Sequence, residues 1–355
     1  MDNGKWTINL REYRAIPRML AALLCIALLL PLTGGCASAP QRYEATYLSL
    51  FDTVVTISVY AESEAEAQEA LRAVYDDLAR YDALFDIYKE HEGVTSLKTV
   101  NDNAAQGPVA VEPELFALLS FGKEVYGLTR GRVNIAFGSV LSLWHDARTA
   151  GLADPGAAAL PDRDALERAA AHADIDDLIL DETAGTVCFA DPALRLDVGA
   201  VGKGFAAQLA CANARERGIT SMLLNLGGNV CALGTRADGK PWRINVQDPD
   251  DASAALATVE LSDASFVTSG GYQRYYTVDG VNYHHIIDPD TLMPAEYVKA
   301  VTVTHADSGL ADAFSTALFN LPYEEGRALA EENGVSAVWE LLDGRIEWLS
   351  LAGVE

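Results

Sequence analysis

Residues 272–289, YQRYYTVDGVNYHHIIDP, restrict the possible folds more than any other stretch of this chain. Two runs rich in aromatic and β-branched residues flank Asp279-Gly280, and that dipeptide tolerates the positive φ needed by the two-residue turn of an antiparallel hairpin. A second Asp-Gly turn, at Asp343-Gly344, carries the same signal near the C-terminus. Helical periodicities lie between the strand-like runs without a regular strand-helix-strand alternation. The sequence therefore predicts an α+β fold of mixed, largely antiparallel sheets with packed helices. The 355 residues are 50% hydrophobic, enough for a large core, and no repeat or change of composition after residue 46 marks a second domain.

The formal net charge of −25 argues against a nucleic-acid partner, because an acidic surface repels a phosphate backbone. A small phosphorylated ligand is still compatible, since a local lysine or a bound divalent cation outweighs a field screened over about 8 Å. At the N-terminus, Lys5, Arg11, Arg14 and Arg18 precede an apolar run over residues 19–32. That run is shorter than the roughly 20 residues needed to span a bilayer and has the layout of a signal peptide. Thr33-Gly34-Gly35-Cys36 resembles a bacterial lipobox, with Thr33 where an apolar residue is usual. The expected organisation is a lipoprotein signal peptide over residues 1–35, a lipid-anchored tether over 36–46 beginning at lipidated Cys36, and one catalytic domain over 47–355. Such a chain would be held on the outward-facing side of a cell membrane. Cys188, Cys211 and Cys231 are spaced too irregularly for zinc and read as buried thiols.

Several elements are legible from pattern. Residues 47–61 read as one strand, with Thr53, Val55, Ile57 and Val59 on one face. Residues 63–84 read as an amphipathic helix with Ser63 and Glu66 placed as a capping box. An Ala/Asp/Pro-rich insertion over 151–161 reads as a mobile surface loop, and TSMLLNLGGNVCALG as a buried strand ending in a glycine turn.

The chemistry concentrates in two places. Residues 194–208, LRLDVGAVGKGFAAQ, combine three glycines, one lysine and one aspartate. A P-loop would need glycine where Asp197 stands and a hydroxyl where Gly204 stands, and the dinucleotide fingerprint does not fit either. The stretch suits a strand ending at Asp197, a glycine turn able to face a ligand, and a helix starting near Lys203. It equally suits a plain strand-to-helix turn with Lys203 in water. On the helix GLADAFSTALFN (309–320), apolar residues cluster on one side and Asp312, Ser315 and Thr316 on the other. Asp312 and Thr316 are one turn apart, so their oxygens converge as hard donors of the kind magnesium takes. His284 and His285 are neighbours on a strand and point to opposite faces, so at most one serves a given site.

Seven segments, FDTVVTISVY, LDVGAVGKGFA, NLGGNV, WRINVQDP, TSGGYQRYY, HHIIDP and ADAFSTALF, resemble in this order the motifs of the ApbE-like FAD:protein FMN transferases. The resemblance runs over about residues 47–320. It implies the ApbE-like flavin transferase fold. It also implies a magnesium-dependent enzyme that moves the FMN moiety of FAD onto a threonine or serine hydroxyl of an exported flavoprotein as a phosphoester, releasing AMP. Carried onto this sequence, it implies metal ligation by Asp312 and Thr316, with Ser315 adjacent, and by the carbonyl of Ala200. FAD contacts would come from Phe51, Tyr88, Arg132, Val133, Asn134, Asp197, Lys203 and Ile286, and His285 would lie near the pyrophosphate as base or orienting group. The chain departs from the family pattern at Phe51-Asp52 in place of Met-Gly, at Asn134 in place of aspartate, and at DPDTLMP in place of D-P-x-T-G-x-P. Two other readings use the same residues: a magnesium-dependent FAD pyrophosphatase with water replacing the acceptor hydroxyl, and a lipoprotein that binds FAD without chemistry. No S/T-G-A-S/T acceptor sequence occurs, so the chain reads as donor machinery and not as a flavinylated carrier.

Overall fold

The computed structural model describes residues 39–247, 255–272 and 274–350; the expected signal peptide and Cys36 lie outside them. Strands β1 (Gln41–Leu50) and β2 (Thr53–Ala61) form an antiparallel hairpin. The single strand expected over 47–61 is thus the end of one strand, a turn and a second strand. The turn was hidden because Phe51 is not a typical turn former and no glycine follows Asp52, yet both take positive φ, 53° and 49°. The Phe51 N–H donates to Asp82 Oδ1 at 2.8 Å, which holds that conformation from outside the turn. From Gln41 onward the segment expected to be tether is already strand.

Helix α1 (Glu64–Phe85) begins as its sequence requires, with the Ser63 hydroxyl accepting from the Glu66 N–H, and it buries Ala67, Leu71, Val74, Leu78 and Tyr81 at three-and-four spacing. Helices α2 (Leu97–Asn103), α3 (Pro113–Leu128), α4 (Gly138–Ala153) and α5 (Arg163–Ala170) follow, with strand β3 (Val109–Ala110) between the first two. Strands β4 (Leu178–Asp181) and β5 (Thr186–Phe189) complete a small sheet with β3. The 151–161 insertion, expected to be mobile, instead ends α4, makes one 3-10 turn at Pro155–Ala157 and packs on the later hairpin. There the Ala159 carbonyl accepts from the hydroxyl of buried Tyr276.

Next come α6 (Gly202–Glu216) and the hairpin of β6 (Met222–Leu226) and β7 (Asn229–Leu233). The stretch expected as one buried strand is therefore two, folded at Gly227-Gly228, where both glycines take positive φ. Strands β8 (Trp242–Gln247), β9 (Ala255–Leu261) and β10 (Ala264–Gly270) precede the predicted Asp-Gly hairpin, β11 (Tyr275–Val278) with β12 (Val281–His284). The chain continues through β13 (Val298–His305), α7 (Ser308–Phe319), α8 (Tyr323–Glu332), β14 (Ser336–Leu341) and β15 (Ile346–Leu349).

Among the described residues the main sheet has eight strands in the order β1-β2-β6-β7-β10-β13-β14-β15. Every neighbouring pair in it is antiparallel. Alternation along β7 divides the core: Cys231 and Leu233 join the cluster under the helices, while Val230 and Ala232 pack with Trp242, Val246 and Leu261 of the β8–β9 hairpin on the other face. A third cluster, Phe137, Val140, Trp144, Leu166, Tyr276, Ile287 and Leu292, joins α4 and α5 to the β11–β12 hairpin. The fold class is the α+β arrangement that the hairpins predicted.

Candidate functional site

Helices α6 and α7 approach so closely that a Cβ at Gly204 would overlap the Ser308 carbonyl oxygen and the Asp312 Cβ. Glycine is required there by contact, and the contact makes the site. The Val201 N-cap of α6 supplies no side-chain hydrogen bond, and the Gly204 N–H instead donates to Asp312 Oδ2 at 2.8 Å. A carboxylate from another helix thus occupies the electropositive end of α6, where negative charge is favoured. Gly227, at φ 61°, plays a similar part in the β6–β7 turn: a side chain there would overlap Thr53, which lines the same cleft.

The strand expected to end at Asp197 is not formed. Residues 194–198 make only an isolated parallel bridge, Arg195 beside Phe137. Asn101 exchanges two bonds with the Leu196 backbone (2.7 and 2.9 Å), the Asp197 N–H donates to the Ile135 carbonyl, and the Gly138 N–H donates to the Arg195 carbonyl. A buried asparagine and a turn therefore replace a strand ladder, and the chain enters the 199–201 turn at the cleft edge.

The cleft encloses about 630 Å³ of space, its solvent-open part included. Lys203, Asp312, Thr316, His285 and Ile286, expected from separate parts of the sequence, line it together. Asp312 is 5% exposed, and burial pushes its pKa up to about 6 against the opposing pull of Lys203, the Gly204 N–H and Asn229. Ser315 is fully buried. Its hydroxyl donates to the Asp312 carbonyl at 2.8 Å and lies 2.8 Å from Ser269 Oγ, so it braces α7 against β10 and does not line the cleft. Asp197 accepts from the Gly199 N–H at 2.8 Å, its pKa raised by burial, and Ala200 sits in the turn between that contact and α6.

The two histidines do separate, but not by strand alternation: β12 ends at His284, and His285 lies in the bend that follows. His284 bonds to the Ala295 carbonyl and turns its ring edge toward Phe319. His285 Nδ1 lies 3.2 Å from the Arg274 carbonyl. A carbonyl oxygen only accepts, so Nδ1 carries the proton and Nε2 keeps its lone pair. His285 is exposed to solvent, yet the atoms packed about its ring, with Arg274, His284, Lys203 and Arg148 nearby, push its pKa down.

Other expected contacts fall outside the cleft lining. Arg132 pairs with Asp288 and Asp290, Val133 is buried in the main core, and Asn134 bonds to the Ala136 N–H and the Ala173 carbonyl. These three side chains brace the structure beside the site. Phe51 anchors its hairpin turn, and Tyr88 stands at the rim, 51% exposed and stacked on His145 with ring centroids 4.8 Å apart. Conversely, Thr53, Asn229, Ser269 and Arg274 line the cleft without having been singled out. Their motifs, FDTVVTISVY, NLGGNV and TSGGYQRYY, were visible, but no spacing rule distinguishes one polar side chain within them. Asn229 is 1% exposed; its Oδ1 accepts from the Ser308 hydroxyl at 3.1 Å, and its side chain faces Asp312 and helps hold that carboxylate's pKa down.

The ApbE family model matches residues 51–339, which include every cleft-lining residue named above. The chain belongs to the ApbE family. Among ApbE relatives, the FAD:protein FMN transferase of Treponema pallidum is 32% identical over 344 residues, covering 92% of this chain and 92% of the relative. A FAD:protein FMN transferase of Klebsiella pneumoniae is 31% identical over 293 residues, covering 82% and 86%. The crystal structure of the ApbE protein of Thermotoga maritima superposes with a TM-score of 0.77 at 28% identity, over 87% of this chain and 97% of that one. The apo flavinyl transferase ApbE of Pseudomonas stutzeri gives 0.72 at 25% identity, over 87% and 94%. The ApbE fold thus accounts for the antiparallel sheet and for the meeting of α6 with α7.

Proposed function

We propose that this chain is an FAD:protein FMN transferase that moves the FMN moiety of FAD onto a threonine or serine hydroxyl of an exported flavoprotein. The observation that carries the reading is the convergence of Lys203, Asp312, Thr316 and His285 on one cleft in an ApbE chain. The acceptor oxygen attacks the FMN phosphorus, a phosphoester bond forms, the pyrophosphate bond breaks, and AMP leaves with the electron pair. The hydroxyl proton passes to His285 Nε2, the ring nitrogen left free by the Arg274 carbonyl. Lys203 offsets phosphate charge, and the Arg274 carbonyl holds the His285 ring in orientation.

The donor set suits magnesium. Asp312 contributes a buried carboxylate, Thr316 a hydroxyl on the cleft wall and Ala200 a carbonyl in the adjoining turn. Among the described residues no group of three or more His, Cys, Asp or Glu could hold a metal. One carboxylate with substrate phosphates and water is the usual company of this ion, which when bound neutralises developing phosphate charge.

Residues 1–35 are proposed to be removed as a signal peptide, with Cys36 lipidated and residues 36–40 tethering the domain to the outer side of a membrane. The order of basic residues, apolar run and cysteine supports this. Loss of radiolabelled fatty acid in Cys36→Ser would be expected, and retained label would refute the anchor. For the chemistry, the test is to incubate the chain with FAD, magnesium and a candidate exported flavoprotein and weigh the acceptor. A covalent FMN-sized increment, absent with Asp312→Ala, is expected. Free FMN and AMP without an adduct would replace transfer by pyrophosphate hydrolysis, and unchanged FAD would reduce the role to binding.

A further inference from the structure

Cys211 on α6 and Cys231 on β7 meet where the helix packs on the sheet, with their Sγ atoms 2.9 Å apart. That is closer than the ~3.5–4.0 Å at which even the smaller carbon atoms rest in contact. Both residues are buried, 7% and 5% exposed, within the main core. Cys188 is different: it is only partly buried, and its sulfur lies 3.9 Å from the Phe189 carbonyl.

We infer that Cys211 and Cys231 are a disulfide pair when the chain folds under oxidising conditions. One S–S bond forms and two S–H bonds are lost. The two electrons and two protons pass to an external disulfide, protein or small-molecule, which is reduced to two thiols by exchange. Burial of both sulfurs places the exchange before the core closes. The cross-link spans 20 positions and ties together the two elements that hold Asp312. Helix α6 supplies the Gly204 N–H and Lys203, and β7 begins at Asn229. The physiological oxidant rests on the outward-facing location proposed above, but the pairing is testable without it.

The full chain, reduced and unfolded in detergent, is refolded in mixed oxidised and reduced glutathione, trapped with iodoacetamide and digested with trypsin. Cleavage after Lys203, Arg215, Arg217 and Arg236 separates the two cysteines into peptides 204–215 and 218–236. The expected product is these two peptides joined, separating on reduction, with Cys188 alkylated. Recovery of both as alkylated monomers, or linked to Cys188, would overturn the inference. Oxidised protein should melt roughly 5–10 °C above reduced protein. The difference should vanish in Cys211→Ala/Cys231→Ala, and a difference that persisted there would refute the assignment. The same peptide map on chain from a membrane fraction separates the two proposals. Chain missing from that fraction refutes the location alone, and alkylated monomer peptides from chain found there refute the pairing in the cell.

Discussion

At the floor of the cleft, Asp312 and Asn229 are buried and held by α6 and α7, with Ser315 bracing α7 against β10 behind them, whereas at its rim Tyr88 and Arg274 are exposed and His145 is partly so. The floor has few degrees of freedom and a desolvated charge. The rim has aromatic and cationic surface with few fixed partners; the Arg274 guanidinium, for example, donates to the Asp52 carbonyl. Preorganised charge is most effective where water is excluded, and stacking surface is most adaptable where it is not. On the function proposed above, the comparison matches reaction to the floor and ligand capture to the rim.

The sharpest break would be Asp312→Ala, expected to lower transfer about 10³-fold or more while leaving the acceptor's fold unchanged, as measured by the rate of flavinylation. The milder Asp312→Asn tests the same carboxylate through stability. Its folded pKa of about 6 lies above the ordinary aspartate value of about 3.9, so the stability linked to this group is present below the lower value and lost as pH rises through the higher one. An asparagine avoids that loss. Metal-free Asp312→Asn protein should be about 3 kcal/mol more stable than the parent at pH 7, with the gap closing below pH 4, read by denaturant unfolding at both pH values. Equal stability at pH 7 would mean that the floor is wetter than its geometry implies.

His285 lies between the two regions and should reveal which it serves. His285→Gln is expected to slow transfer about 10²-fold with the affinity for FAD changed less than about threefold. Because its surroundings push the pKa down, the free ring stays unprotonated below the usual histidine range. At saturating magnesium, kcat/KM should therefore show no loss on acidification through pH 6.5 attributable to this residue. A fall there that disappears in His285→Gln would contradict the environment described. The smallest effect is expected at the rim: Tyr88→Ala should raise the Kd for FAD by up to about tenfold and leave single-turnover transfer of bound FAD nearly unchanged. A collapse of single-turnover rate would erase the distinction between floor and rim.

The elements legible in the sequence share one property: their signal lies within the element. Helix α1 shows its buried stripe and its Ser63 cap, α7 separates Asp312 and Thr316 from its apolar side, and the β11–β12 and β14–β15 hairpins carry Asp-Gly turns. The misread elements depend on partners far away in the chain. The β1–β2 turn needs Asp82 to hold Phe51, and the path through 194–198 needs Asn101 in place of a neighbouring strand. The 151–161 insertion looked mobile because its composition is that of a loop, and it is packed because Tyr276 reaches it.

The same division runs through the site. The sequence by itself determined the α+β class and the identity of Lys203, Asp312 and Thr316 as candidates, because periodicity and side-chain chemistry are local. The tertiary structure alone decided that Ser315 braces rather than lines the cleft, that Arg132, Val133 and Asn134 support their surroundings, and that Asn229 and Ser269 belong to the floor. It also placed Asp312 at the unfilled N-terminus of α6, 108 positions away in sequence from the Gly204 N–H it receives. Burial, which sets the charge state of that carboxylate, is a property of packing between elements, and no window of sequence contains both sides of the contact.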